Sequence, residues 1–437
     1  MTIAEVTLWD RRIAAVEWNE KEGKASFQYD PSFLKSGIEV SPIVMPLSKN
    51  IYRFPELNFK TFKGLPGLLA ESLPDKFGNA LINTWLASHG RRPETFNPVE
   101  RLCYTGTRGM GALEYHPTAN VGGGRSEKID IGNLVALASE ILTKRGRLED
   151  NLDENHEEAL ANIIKVGTSA GGARAKAVLA YNEQTGELRS GEANIKEGFS
   201  HWLLKFDGVA DNGDKELADP KGYGRIEYAY YLMAKEAGIN MTECRLFKEG
   251  GRAHFMTKRY DRPKGAEKLH TQSLGSLAHL DFNMANTHSY EQAFMVMRQL
   301  KLSMEEKEQQ LTRTIFNVLA RNQDDHVKNI SYLMNKQGQW SLSPAYDMIF
   351  SFNPVGQWIN LHQMSINGKR EEITETDFRS LANYAGIKPT FVDRTLNSVE
   401  IAVANWMEHA AAAGVPEDVA AAIGDQHLLH SSVPVPG

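Results

Sequence analysis

The sequence predicts an α+β protein of two lobes, preceded by an extra β-rich N-terminal subdomain. Three observations carry this reading. Residues 1–60 read as β-rich, with 5–9 alternating apolar and polar side chains as half-buried strands do. Strand-like runs at 177–181, 201–206 and 254–260 then surround one amphipathic helix. From about residue 285 onward, apolar residues recur mostly at helical spacing. A chain of 437 residues is also too long for one hydrophobic core, so two or three domains are expected.

The first unit spans 1–125. It contains strands at 5–9, 12–18 and 25–29, the last followed by the breaker Asp30-Pro31. Residues 64–75 are apolar and rich in turn formers, and 80–86 continue as a helix. Glycines at 106, 109 and 111 then mark a turn into a strand near Tyr115. The run 121–126, with three consecutive glycines, reads as a linker. The second unit, 126–262, opens with Leu134, Leu137, Ala138, Ile141 and Leu142 on one helical face, ended by Gly146. An acidic stretch at 149–158 reads as a solvated loop and helix start. The helix of this lobe is 226–237, stopped by Gly238. The third unit, 263–437, carries the stripes Leu311, Ile315, Val318, Leu319 and Val399, Ala402, Val403, Trp406, and its last residues form a frayed tail.

A net charge of −6 excludes wholesale coating by nucleic acid while allowing a local basic patch. The two cysteines, Cys103 and Cys244, give neither a disulfide framework nor a thiolate zinc site. The first residues lack the basic-then-apolar pattern of a signal peptide, and no apolar run is long enough to span a bilayer. A cytoplasmic protein without membrane contact is expected.

Four stretches carry chemistry. In Gly167–Lys176 small residues would let backbone N–H groups approach phosphate oxygens, with Arg174 and Lys176 adding charge. Taken alone, it is equally a tight turn between helix and strand. Lys205 ends the apolar strand and is placed to reach the phosphates, and Glu227, early in the next helix, is its natural ion-pair partner. Residues 255–263 are extended and suit a hinge against adenine, with Tyr260 near the ring. The last stretch is Asn322-Gln323-Asp324-Asp325-His326-Val327-Lys328-Asn329, followed by Asp347. The Asp324 to Asn329 spacing is the D-x-x-x-x-N of kinase catalytic loops, although no His-Arg precedes it and no Phe-Gly follows Asp347. Lys328 is placed to neutralise a transferring phosphoryl group, and a solvated loop lysine fits equally. His326 alone reads as a loop-packing residue, and with no second histidine at ligand spacing a zinc site is not expected. Each stretch has an ordinary structural explanation, but their order along the chain is that of an ATP phosphotransferase.

With these residues in view, the chain resembles the HipA-type serine/threonine protein kinases, toxins of bacterial toxin–antitoxin pairs. The likeness lies in 109–113, 169–176, 201–205, 258–262, 324–329 and 344–347, and is most specific in the last two. It implies a protein-kinase-like fold, ATP and Mg²⁺ as cofactors, Asp324 as catalytic base assisted by Lys328, and Asn329 and Asp347 as metal ligands. ATP contacts would come from Ser169, Ala170, Gly171, Gly172, Ala173, Arg174, Lys176, Lys205, Glu227, Lys258, Arg259, Tyr260 and His326. Ser169 would be self-phosphorylated, with Thr168 beside it as the competing hydroxyl. The added charge would expel the glycine loop from the phosphates it was shaped to hold. The resemblance also implies a helix-turn-helix antitoxin (HipB-like), operator DNA reached mainly through it, and an aminoacyl-tRNA synthetase as target. Two positions depart from the family pattern: Asp325, expected to add negative charge beside the metal, and Lys258, where some members carry an acid. A small-molecule phosphotransferase and an ATP-binding corepressor acting with an antitoxin on DNA are the competing readings.

Overall fold

The computed structural model describes residues 2–118, 129–143, 174–191, 195–209, 222–263, 267–356 and 358–429. The expected linker at 121–126, Gly146, the acidic stretch, the glycine-rich run 167–173 and the C-terminal tail lie outside them.

Strands β1 (Thr2–Leu8), β2 (Arg11–Asn19), β3 (Lys24–Tyr29) and β4 (Leu113–His116) form an antiparallel sheet in the order β3-β2-β1-β4. Trp9, expected inside the first strand, instead sits in the two-residue turn before β2. Trp9 and Asp10 have φ of 51° and 61° there, the left-handed geometry that matches strand twist in tight hairpins. The indole compensates by donating to the carbonyl of Lys268 at 2.6 Å. The helix Lys76–Ser88 starts where the Asp75 carboxylate accepts from the Gly78 amide at 2.7 Å, a side-chain N-cap.

The small lobe holds β5 (Lys176–Asn182), β6 (Leu188–Ser190), β7 (Phe199–Lys205), β8 (Cys244–Glu249) and β9 (Arg252–Lys258), antiparallel in the order β6-β5-β7-β9-β8. The three strands expected from sequence are β5, β7 and β9. The two additional ones are the edges, which have one partner each and weaker apolar patterning. The helix Tyr223–Glu236 packs on this sheet, beginning earlier than the expected 226–237 and ending one residue sooner.

The large lobe contains β10 (His270–Ser273), β11 (His288–Ser289), β12 (Ser331–Met334), β13 (Trp340–Leu342) and β14 (Met364–Ser365). Strands β10, β12 and β13 form one antiparallel sheet, and β11 pairs with β14 in parallel. Its helices are Leu274–Leu277, Tyr290–Gln299, Met304–Leu319, Glu375–Ala385, Pro389–Ala404, Trp406–Ala413 and Glu417–Gly424. Both expected stripes are buried in its core, which also takes in Ile226, Tyr230 and Met233 of the small-lobe helix.

Packing joins the N-terminal strands to both lobes. Val6, Phe27, Leu68 and Tyr115 share a core with Met334 of the large lobe. Phe77, Leu81 and Leu86 share another with Leu179, Trp202 and Met256 of the small lobe. The N-terminal region therefore helps build the walls of the cleft between the lobes.

Candidate active site

Strand β7 ends at Lys205, with Glu227 facing it from the neighbouring helix. Lys205 Nζ lies 2.5 Å from Glu227 Oε1 and also binds the Asp347 carboxylate. The other oxygen of Glu227 is 3.3 Å from Arg174 Nη1, and the Arg174 guanidinium lies 3.6 Å from the Tyr223 ring centre. Burying such charges is unfavourable unless they are paired, and here the pairing prevails. Burial works to lower the pKa of Lys205, but Asp347 and Glu227 raise it above the ordinary lysine range. Burial likewise works to raise that of Asp347, yet Lys205 and Lys176 hold its carboxyl well below the usual carboxylate range. Asp347 itself has φ of 53°, a left-handed conformation uncommon for residues other than glycine and most tolerated by Asn and Asp.

Asp324, His326, Lys328 and Asn329 line the same cleft as Lys205, Glu227 and Asp347, a cavity of about 1510 Å³. The Asn329 side-chain N–H donates to the Asp324 backbone carbonyl at 2.7 Å. The side chain of Asp324 is 53% exposed into the cleft. Even so, surrounding protein withdraws it from bulk water, and Asp347 and Asp325 add repulsion. Its carboxyl is raised above the ordinary range, with His326 opposing. His326 Nε2 is 3.8 Å from Asp324 Oδ1, and the Lys328 ammonium lies 4.7 Å from the Phe282 ring centre. Tyr346 joins the two acid-bearing segments: its hydroxyl donates to the Lys328 carbonyl at 2.6 Å, and its ring stacks on Tyr260 at 5.6 Å.

The other residues expected at the site divide. Arg174, Lys176, Lys258, Arg259 and Tyr260 line the cleft, whereas Ser169, Ala170, Gly171, Gly172 and Ala173 lie outside the described residues. The Lys258 ammonium is engaged by Glu183 at 3.3 Å and Glu243 at 3.7 Å. The buried Arg259 guanidinium grips Asp261 through both carboxylate oxygens, at 2.9 and 2.7 Å, and donates to the Gly109 carbonyl at 3.0 Å. Arg259 therefore fastens the N-terminal glycine turn to the segment that follows β9. Asp325, expected to charge the metal region, turns its carboxylate into the large lobe. It is 3% exposed and bonded to Tyr290, His362 and Gln363.

Sequence reasoning missed Asp75. From the N-terminal region it reaches the cleft wall, where Oδ2 lies 3.7 Å from the Lys176 ammonium. Burial pushes its carboxyl up to about 6, against the pull of Lys176. In sequence Asp75 only closes the turn-rich stretch 64–75, and nothing local connects it to Lys176.

Among the described residues no group of three or more His, Cys, Asp or Glu side chains forms a metal cage. Transition-metal binding would favour such a cage, but Mg²⁺ on a nucleotide takes one or two protein oxygens plus phosphate oxygens and waters. Asp347 and Asn329, beside a fixed ammonium, fit that donor set.

A two-lobed, kinase-like protein is thus defined by fold and cleft. The chain belongs to the HipA family: residues 168–407 match the HipA-like C-terminal domain and residues 4–116 the HipA N-terminal domain. The fold is similar to that of Shewanella oneidensis HipA, solved with HipB and operator DNA. The TM-score is 0.64 at 17% identity, covering 97% of this chain and 95% of that one. A protein of Haemophilus influenzae described as a putative kinase is 25% identical over 172 residues, or 36% of this chain. The match spans 50% of that relative's length. The Helicobacter pylori proinflammatory kinase CtkA overlaps 53% of this chain and 93% of its own, at 11% identity, with a TM-score of 0.33 that carries no weight. No helix among the described residues is long and apolar enough to cross a membrane.

Proposed function

We propose that this chain is a Mg²⁺- and ATP-dependent serine/threonine protein kinase acting as the toxin of a toxin–antitoxin pair. The observation that carries the proposal is the convergence of Lys205, Glu227 and Asp347 with Asp324 and Asn329 on one cleft. Lys205, held by Glu227, would bind the nucleotide's phosphates, and Tyr260 would border its base. Asp324 would orient the substrate hydroxyl and take its proton. Its raised pKa suits proton exchange better than that of an ordinary aspartate. Lys328 would face the transferring phosphoryl group. Bound through Asn329 and Asp347, Mg²⁺ would supply charge neutralisation on the phosphates.

Family membership supports the toxin assignment and, with it, self-phosphorylation at Ser169 or Thr168. A translation enzyme, an aminoacyl-tRNA synthetase, would be the target. The likeness to a HipA solved with HipB and operator DNA supports a small helix-turn-helix antitoxin as partner, through which operator DNA would be met. The test is ³²P transfer from ATP to the protein itself and to a purified synthetase. The parent should label both, while Asp324→Asn and Asp347→Asn should label neither and melt as the parent does. Equal labelling by the variants would remove the assignment. Fast ATP turnover with a metabolite and no labelled protein would point to a small-molecule phosphotransferase.

A further inference from the structure

Consecutive acids in the catalytic loop point opposite ways. Asp324 opens to the cleft, whereas Asp325 is 3% exposed and faces the interior of the large lobe. Asp325 Oδ2 accepts from the Tyr290 hydroxyl at 2.7 Å and from His362 Nδ1 at 2.9 Å, and Oδ1 accepts from the Gln363 amide at 2.7 Å. The network then returns to the loop. Asn317 Nδ2 donates to the Tyr290 oxygen at 3.0 Å, and Asn322 Nδ2 donates to Asn317 Oδ1 at 2.9 Å. The loop is thereby tied through one carboxylate to the start of helix Tyr290–Gln299 and to the 358–363 segment, whose Trp358 and Ile359 line the cleft.

We propose that Asp325 is a positioning residue, fixing Asp324 and Asn329 by clamping the loop between Tyr290 and His362-Gln363. A buried carboxylate with three donors is suited to this, because a hydrogen-bonded ion resists displacement more than an apolar contact does. It touches no reactant, so its effect passes through Asp324. A misplacement of about 1 Å at a reacting group is enough to slow a reaction on the order of 100-fold. The catalytic consequence rests on the kinase reading above, whereas the clamp itself does not.

The experiment uses the full chain and compares His362→Asn with His362→Gln. An asparagine amide can stand where Nδ1 stands and keep the bond to Asp325, whereas glutamine places its N–H at the Nε2 position. Two readouts are taken on each, with Tyr290→Phe as a third variant. Hydrogen exchange of the 321–330 amides should accelerate at least ~10-fold in His362→Gln and Tyr290→Phe but remain near the parent rate in His362→Asn. The kcat of self-labelling should fall roughly 10- to 100-fold in the first two, with nucleotide affinity unchanged, and largely recover in His362→Asn. Equal exchange in all variants, or equal damage from Asn and Gln, would overturn the clamp. A parent that never labels while its exchange follows this pattern would sink the kinase reading and leave the clamp standing.

Discussion

Lys205 Nζ lies 2.5 Å from Glu227 Oε1 while the same ammonium binds Asp347. One cation thus joins the end of β7, the small-lobe helix and the segment after β13. In that position the ammonium neutralises Asp347 while Glu227 prevents it from collapsing wholly onto that acid.

Glu227→Gln should therefore weaken nucleotide handling more than folding. The amide keeps the shape but not the charge, so Lys205 is drawn further toward Asp347. A hydrogen bond to a charged partner contributes about 1.5–3 kcal/mol, which corresponds to roughly 10- to 100-fold in kcat/KM for ATP. Initial rates at varied ATP would check this, and an unchanged kcat/KM would show that the pair has no bearing on turnover.

Gly111 tests the seam between the N-terminal region and the segment from Asp261 to β10. Its φ is +78°, a Cβ built there would lie 3.1 Å from the Thr271 amide nitrogen, and its own N–H donates to Asp261 at 2.7 Å. Gly111→Ala should destabilise by about 1–3 kcal/mol, seen as a lower urea midpoint at unchanged m-value.

Arg259→Lys should be poorly tolerated although the charge is kept. A lysine cannot reproduce the two-point grip on Asp261 together with the bond to Gly109. Burial works to raise the pKa of Asp261, and Arg259 and Arg262 overcome it, so loosening one partner leaves a buried carboxylate undercompensated. A loss of about 3 kcal/mol in chemical denaturation is expected.

Acid should unfold the protein early. Burial lowers His201 to about 3, with Arg259 assisting, and His254 and His270 to about 4, from an ordinary 6.5. Each is neutral when folded and charges more readily when unfolded. Their contribution is complete above pH 6.5 and is lost as pH falls from 6.5 through about 4, or about 3 for His201, by about 2 kcal/mol per histidine at pH 5. Denaturation at pH 7 and pH 5 should show this drop, and His270→Gln should have a shallower pH dependence than the parent.

Much of the fold was legible because its signals are local. Alternation in β1 and β2, the apolar runs of β5, β7 and β9 and the stripe from Leu311 to Leu319 follow from which faces meet water. Edge strand β8 was missed, although Gly250-Gly251, both at positive φ, was a readable hairpin signal before Arg252. Trp9 was misplaced because an aromatic residue favours strands, and its indole found a partner in Lys268 that no window of sequence contains.

The sequence by itself determined the order of the chemical groups: lysine, glutamate, then aspartate, asparagine and aspartate, each in its type of element. Spacing within a loop and periodicity within a helix are short-range properties, so the chain states them directly. Only tertiary structure decided which of two adjacent acids faces the cleft, that Arg259 is a fastening, and that Asp75 stands beside Lys176. Those outcomes depend on which distant surfaces close over each charge, and burial with a partner is a property of the packed lobes together.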